Sequence, residues 1–475
     1  MFDLSIYADN VAAIADDGRR MSYAELKEAS DKWAAAIPPR SLVFILAENK
    51  IESLVAYVGA LNHGIVPLML DAKIDKGLLE RFIELYQPDF ICRGGFIKTA
   101  LPDGERARGT RAPTDGGRWN DRPTLFEELA LLITTSGSTG APKLVRQSYK
   151  NLRANAESIA EYLKIDATER PITTLPMNYV YGLSIINSHL IRGATILLTD
   201  KSIMQREFWN FFNEQGATSF GGVPYTYEML DKLMFFRRKL PSLRTMTQAG
   251  GKILPELHKK FAEYAQREGK QFVVMYGASE ATSRMSYLPP EHSLDKIGSM
   301  GIAIPGGRFE LLDSDGSVIQ ESSTFNLQPS TCSPVGELAY YGDNVTLGYA
   351  ECAADLAKGD ERGGKLITGD MAKRDADGYY YIVGRKKRFL KIFGNRVNLD
   401  ETERLLKSQF SDLDFACGGV DDKMKIFVCG EADFNAIREF VSAKTHLNFT
   451  AFEVVAIDKI PKNETGKTLY SELPK

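Results

Sequence analysis

Five cysteines in 475 residues, none in a C-x-x-C pair, give this chain neither a disulfide framework nor a thiolate zinc site. Cys92, Cys332, Cys352, Cys417 and Cys429 stand far apart and read as isolated thiols. Positive charge is not in excess either. The net charge of −3 argues against a broad nucleic-acid-binding face, so no nucleic-acid partner is expected. No apolar run approaches the ~18 residues a membrane span needs, so no membrane span is expected. The N-terminal Met1-Phe2-Asp3-Leu4 carries an early acid and no basic-then-apolar leader pattern, and the expected address is cytoplasmic. The common phosphate loop is missing as well. Its Gly-x4-Gly-Lys-Ser/Thr spacing is not met, and Gly466-Lys467-Thr468 fails because Pro461 occupies the first glycine position.

What is present is a globular average: 44 % hydrophobic and 25 % charged residues, enough for a large core. Length alone suggests roughly two to four compact units. Ser22, three residues before Glu25, opens an amphipathic helix over 22–36 as a capping box. Leu42–Leu46 reads as a buried strand, followed by a helix through Leu61 and a strand at Val66–Leu70. Such alternation implies βαβ units and a parallel sheet. Further strands are expected at Leu129–Thr134, Ile172–Leu175, Ala194–Thr199, Ala217–Phe220, Arg244–Gln248 and Phe272–Met275. Residues 100–124, rich in Gly, Pro, Asp and Arg, read as a surface excursion. From about Gly298 the texture changes to short strands with glycine turns. After the basic run Arg385-Lys386-Lys387-Arg388 a compact segment alternates helix and strand.

The most informative segment follows the strand Leu129–Thr134. Thr135-Ser136-Gly137-Ser138-Thr139-Gly140-Ala141-Pro142-Lys143 places two glycines, four hydroxyls and a terminal lysine in nine residues. Glycines permit close backbone approach, and successive N–H groups with a cation form an anion site. A nucleotide triphosphate is the anion that fits. Four further signals come in order. Tyr276-Gly277-Ala278-Ser279-Glu280 places an aromatic and a carboxylate after a strand, although a strand-to-helix turn capped by Ser279 accounts for it equally. Thr368-Gly369-Asp370 sets an acid after a glycine turn. Gly384–Arg396 is strongly cationic. Pro461-Lys462-Asn463-Glu464-Thr465-Gly466-Lys467 ends the series in a lysine.

In this order the motifs resemble the adenylate-forming superfamily of acyl- and aryl-CoA ligases, stand-alone adenylation domains and luciferases. The resemblance runs from about Ser22 to Lys467. It implies an α/β fold with a large N-terminal domain (1–384) of two stacked βα sheets plus a small β-barrel. A small mobile α+β C-terminal lid (385–475) would follow, hinged near Lys387. It further implies that Ser136, Gly137, Ser138, Thr139, Gly140 and Lys143 cradle the β- and γ-phosphates of ATP, with Thr135, Glu280 and Lys467 as the catalytic residues. Gly250, Gly251, Tyr276 and Gly277 would frame the adenine, and Glu280 would bind Mg²⁺. Asp370 and Arg385 would hold the ribose, and Lys467 would bridge the acid and the α-phosphate.

The segment Leu175–Leu183 resembles the acyl- and aryl-ligase form of the substrate motif. It implies an acid pocket of Tyr179, Tyr181, Gly182, Gly221, Gly222, Val223 and Met275. The aspartate that amino-acid activators use for the α-ammonium is missing there, which favours a small carboxylic acid without one. The acceptor implied is coenzyme A or the phosphopantetheine of an acyl carrier protein. Arg388 stands where relatives commonly carry an acid, so an unbroken cationic hinge is expected to meet CoA phosphates or a carrier's acidic face. Carrier loading with an amino acid, luciferase chemistry and a decayed nucleotide-binding scaffold are the competing readings.

Overall fold

The computed structural model describes residues 1–99, 124–134, 143–319, 334–393, 395–445, 447–462 and 468–474. The chain divides into two compact units, Met1–Arg308 with Tyr341–Leu366, and Phe309–Tyr340 with Ile367–Lys475.

Two sheets form the first unit among the described residues. The larger runs Ile302–Ala303, Ser283–Tyr287, Gln271–Ala278, Thr245–Gln248, Ser219–Gly222, Pro171–Ile172, Ile196–Leu198, Val11–Ala15 and Arg20–Ser22, in that spatial order. Its interior strands pair in parallel, and antiparallel strands close both edges. The second sheet runs Gly348–Ala350, Leu144–Ser148, Leu129–Thr134, Val66–Asp71, Leu42–Ala47, Phe90–Arg93 and Phe96–Thr99. Alternation along a strand divides two cores. Val43 and Ile45 join the helices Tyr23–Ala34 and Ile51–Asn62 and the strand residues Ala13 and Ile196 in one cluster. Leu42, Phe44 and Leu46 point the other way, onto Phe82 and Tyr86 of the helix Lys76–Tyr86. Stacked βα sheets are therefore present as the sequence implies.

The helix after Ser22 has its capping box: the Ser22 hydroxyl accepts from the Glu25 N–H, and the Glu25 carboxylate accepts from the Ser22 N–H. Some strands differ from expectation. Ile172–Leu175 shrinks to Pro171–Ile172, because the Thr173 hydroxyl exchanges hydrogen bonds with Thr199 and the Thr174 hydroxyl donates to the Gly221 carbonyl. Phe272–Met275 lengthens to Gln271–Ala278 by pairing antiparallel with Ser283–Tyr287, so Tyr276 and Gly277 lie inside a strand rather than after one. Thr368-Gly369-Asp370 likewise sits within the strand Lys365–Arg374, with Gly369 at φ +72°. A strand that the sequence pattern does not reveal, Leu144–Ser148, pairs antiparallel with Leu129–Thr134, so the glycine-rich loop joins two strands.

The second unit contains most of a four-stranded sheet, Gly307–Leu312, Val335–Gly342, Lys365–Arg374 and Tyr380–Arg385. A hairpin follows, Phe389–Ile392 with Asn395–Asn398. A three-stranded sheet, Asp414–Val420, Lys423–Cys429 and Phe452–Ala456, is next. Helices Leu399–Gln409 and Phe434–Thr445 cover it through Leu406, Ile437 and Val441.

Candidate active site

Three adjacent parallel strands of the first unit end side by side, with Gly222 in register with Gln248 and Gln248 with Val274. Their carboxyl ends carry Gly221-Gly222-Val223, Gln248-Ala249-Gly250-Gly251 and Met275-Tyr276-Gly277. In open α/β sheets ligands bind at this edge. Helix Val180–Leu190 starts against it, with Tyr179 as its N-cap residue and Tyr181 and Gly182 in its first turn. Tyr181, Val223, Ala249 and Met275 form one apolar cluster with Tyr179 packed on it, so the expected pocket residues converge. The Tyr181 hydroxyl lies 2.9 Å from the Thr247 carbonyl oxygen and 2.8 Å from its Oγ1. Gly250, at φ +82°, has no space for a side chain: a Cβ there would stand 2.8 Å from the Tyr179 hydroxyl. A Cβ at Gly182 would enter the Pro176 carbonyl.

Past Gly277 the chain reverses through a short 3₁₀ turn, Ser279–Ala281, which carries Glu280. Thr282 (φ +57°) and Ser283 (φ +130°) occupy costly backbone regions of the kind that collect at functional sites. Asn344 clamps the reversal by donating to the Ala281 carbonyl at 2.8 Å and the Arg284 carbonyl at 3.1 Å. The Glu280 carbonyl accepts from the Thr346 N–H at 3.0 Å and from Arg362 at 3.0 Å. Its carboxylate accepts from the Tyr349 hydroxyl at 2.5 Å. Burial first, then this carboxylate, push the Tyr349 phenol up to about 12, so it remains a donor at neutral pH. The Tyr349 ring lies within reach of two cations, Arg362 at 4.7 Å and Lys143 at 5.9 Å from its centroid. Lys143 itself pairs with Glu351.

Tyr349 thus links the lysine that closes the glycine-rich loop to the expected metal ligand. Neither Tyr349 nor Arg362 belongs to a motif singled out in the sequence. A carboxylate fixed by one donor, with oxygen ligands only, fits Mg²⁺, which takes one or two protein carboxylates and completes its shell with phosphate and water.

Thr135, Ser136, Gly137, Ser138, Thr139, Gly140 and Lys467 lie outside the described residues, as do the side chain of Lys387 and residues 100–123 of the expected surface excursion. In the second unit Asp370 and Arg385 stand opposite each other across two antiparallel strands, with Arg385 Nε 3.2 Å from Asp370 Oδ1. Among the described side chains the expected cationic hinge is broken by acids. Lys386 pairs with Glu337 at 2.7 Å. Arg388 pairs with Asp400 at 2.8 Å and Glu403 at 2.5 Å, donates to the Cys417 carbonyl at 2.6 Å and stacks on Tyr470. Arg388 is consumed inside its own unit rather than presented to an anion.

A parallel sheet whose carboxyl edge carries an apolar cluster and a held carboxylate, linked through Tyr349 to a lysine that leads into a strand of the second sheet, is the arrangement of an α/β enzyme. The chain belongs to the AMP-binding enzyme family, whose profile matches residues 5–350. It is 25 % identical to the 2-succinylbenzoate–CoA ligase of Geobacillus kaustophilus, over 97 % of this chain and 94 % of that one. A linear gramicidin synthase polypeptide of Brevibacillus parabrevis is 27 % identical over 84 % of this chain, a stretch making up 5 % of that protein. The solved o-succinylbenzoate CoA synthetase of Bacillus subtilis, in complex with its acyl-adenylate intermediate, superposes with a TM-score of 0.78. That match covers 99 % of this chain and 97 % of that one at 22 % identity. The same enzyme with ATP and magnesium ion gives 0.78 as well.

Proposed function

We propose that this protein joins a carboxylic acid to a pantetheine thiol in two steps. The acid's carboxylate attacks the α-phosphate of ATP, giving an acyl-adenylate and pyrophosphate. The thiol then takes the acyl group and AMP leaves. The enzyme is an acid–thiol ligase that uses ATP, and CoA is the acceptor favoured by the relatives' activities over a carrier protein. The observation that carries this reading is the Tyr349 cluster, which ties Lys143 to Glu280 beside the carboxyl ends of three parallel strands.

A carboxylate and a triphosphate repel, so the chemistry needs fixed positive charge and N–H donors where the two meet. In this reading Lys143 and the loop from Ser136 to Gly140 hold the β- and γ-phosphates. Gly250, Gly251, Tyr276 and Gly277 frame the adenine. Asp370 and Arg385 take the ribose, and Tyr179, Tyr181, Gly182, Gly222, Val223 and Met275 hold the acid. Glu280 would hold Mg²⁺, which offsets phosphate charge when bound. Residues 385–475, hinged near Lys387, act as a lid that brings Lys467 to the reacting carboxylate and α-phosphate. Holding both reactants in line supplies much of the remaining rate.

Acid-dependent ATP–pyrophosphate exchange over fatty, aryl, hydroxy and amino acids tests the first step, and thioester formation with free CoA tests the second. Lys467→Ala is expected to lower exchange by ~10²–10³ while ATP binding persists. Exchange at the unmodified rate in that variant would remove Lys467 from the mechanism.

A further inference from the structure

Two arginines head the fully buried side chains, Arg146 and Arg284. Their surroundings differ sharply. Arg146 donates to the carbonyls of Tyr349 at 3.0 Å, Gly359 at 3.2 Å and Leu347 at 3.3 Å, reaches the Lys358 carbonyl, and pairs with Glu361. Arg284, in the strand Ser283–Tyr287, makes one side-chain hydrogen bond, from Nη1 to the Tyr162 hydroxyl at 3.1 Å. Among the described residues its Nε has no partner and no carboxylate pairs with it. The Tyr181 ring lies 5.1 Å from the guanidinium carbon.

A guanidinium stays protonated wherever it is buried, and five N–H donors cannot be served by one hydroxyl and one ring face. Burial of an uncompensated charge is costly enough that proteins rarely retain it without a counter-ion.

A small cavity opens against Arg284, about 20 Å³ in volume, with Gly221 and Thr247 in its wall. Two other titratable groups border it. His189 contributes no charge at neutral pH, since burial brings it down to about 4 against the opposing hydrogen bond of its Nδ1 to the Ile185 carbonyl, 2.8 Å away. Glu169 is already engaged by Arg244 at 3.1 Å and by the Thr218 hydroxyl. Arg284 is also tied to the acid pocket by two side chains. Tyr181 packs with Val223 and Met275 on one side and faces the guanidinium on the other. Tyr162, which accepts from Arg284, donates to the Met275 sulfur at 3.2 Å.

We propose that Arg284 receives a second anionic group of the substrate, so that the preferred acid is a dicarboxylate: one carboxylate is activated and the other pairs with Arg284. The space is small, so the far group is compact and terminal, a bare carboxylate without ester, amide or further chain. This rests on the ligase reading above and on its acid pocket.

The test compares dicarboxylic acids of graded length with their monomethyl esters and with monocarboxylic acids of equal length, in ATP–pyrophosphate exchange. The wild-type protein is expected to prefer the best diacid over its monoester by ~10²-fold or more in kcat/KM, as sites built around a buried polar partner do. In Arg284→Met the diacid falls by a similar factor, the ester and monoacid stay within a few-fold, and the KM for ATP is unchanged. Arg284→Lys retains part of the diacid preference. The second readout is thermal unfolding without ligand. Replacing an unpaired buried cation by an apolar chain of similar length is expected to leave the midpoint equal or higher. Diacid added to wild type raises the midpoint, and added to Arg284→Met does not.

Monoacids turned over better than diacids by wild type would overturn the proposal and leave the ligase reading standing. A uniform loss for all acids in Arg284→Met with a lowered midpoint would overturn it too, by making Arg284 a structural residue. Exchange with no acid at all, although ATP binds, would bring down both.

Discussion

At the scale of single residues, Tyr349 shows what a motif cannot disclose. Glu280 stands out in the sequence as an acid in a glycine-marked turn, but its partner lies 69 residues further on and is brought in by the edge strand Gly348–Ala350. Tyr349→Phe keeps the ring beside Arg362 and Lys143 and deletes only the donor to the Glu280 carboxylate. A hydrogen bond to a charged group is worth ~1.5–3 kcal/mol, part of which sets the carboxylate's orientation. The expected outcome is a ~5–10-fold rise in the Mg²⁺ concentration that half-saturates exchange, given that ~1.4 kcal/mol is a factor of ten. ATP binding measured by calorimetry without Mg²⁺ is expected to stay unchanged. Equal Mg²⁺ requirements in both proteins would reduce Tyr349 to a packing role. Arg388 teaches the converse. Its position in a basic run suggests exposed charge, yet two acids from one helix face, Asp400 and Glu403, neutralise it. Charge runs read along a chain reveal nothing of partners that arrive from elsewhere in the fold.

At the scale of elements, what was legible depended on whether an element's signal is local. The helix at Tyr23–Ala34 carries its own start signal, and the strands Leu42–Ala47 and Leu129–Thr134 are continuous apolar runs with both faces buried. Leu144–Ser148 was hidden because Arg146 and Gln147 interrupt the pattern. Arg146 is compatible with a buried strand through Glu361, 215 residues away, and through backbone carbonyls of the same distant segment. The length of Gln271–Ala278 was likewise set by a pairing that its own residues do not announce. Packing between elements also overrides propensity. Gly59 lies inside the helix Ile51–Asn62, where alanine would ordinarily be preferred by ~1 kcal/mol. A Cβ at Gly59 would lie 2.8 Å from the Ser30 carbonyl oxygen and 3.0 Å from Trp33 of the neighbouring helix. That backbone contact cannot relax by a rotamer change. Gly59→Ala is therefore expected to destabilise the protein by ~1–3 kcal/mol in urea unfolding, the cost typical of an overpacked core. A more stable variant would mean that the two helices can separate without loss.

At the scale of the whole molecule, alternation of strand and helix and the change of texture near Gly298 were enough to anticipate a parallel sheet of βα units, a β-rich piece and a compact helix-and-strand segment, while the stacking of two such sheets was implied by the family resemblance that the motif order carries. Periodicity and motif order are both carried by a chain in one dimension. The orphaned guanidinium of Arg284 and the cluster around Tyr349 are properties of three-dimensional neighbourhoods and left no such trace. Burial of titratable groups is another property of this kind. His189 and His258, both in the first unit, are enclosed, and desolvation lowers each to about 4. His258 has neutral partners there, the Ser293 hydroxyl at 3.1 Å from Nε2 and the Gly298 N–H, which donates to Nδ1 at 3.3 Å. An unfolded histidine titrates near ~6.5, so between about 4 and 6.5 the unfolded chain binds protons that the folded one refuses. Stability from these two residues is present above ~6.5 and is lost as pH falls through that window, at up to ~1.4 kcal/mol per pH unit for each. Asp31 on the surface, held low mainly by Lys27 and then by His63, loses its contribution only below the ordinary carboxylate range, so the two effects separate. Urea unfolding at intervals from pH 7 to pH 4.5 is expected to show a slope approaching two protons in the middle of the window. His189→Gln combined with His258→Gln is expected to lower stability at pH 7 and to flatten that slope. An unchanged slope in the double variant would assign the acid sensitivity to carboxylates instead.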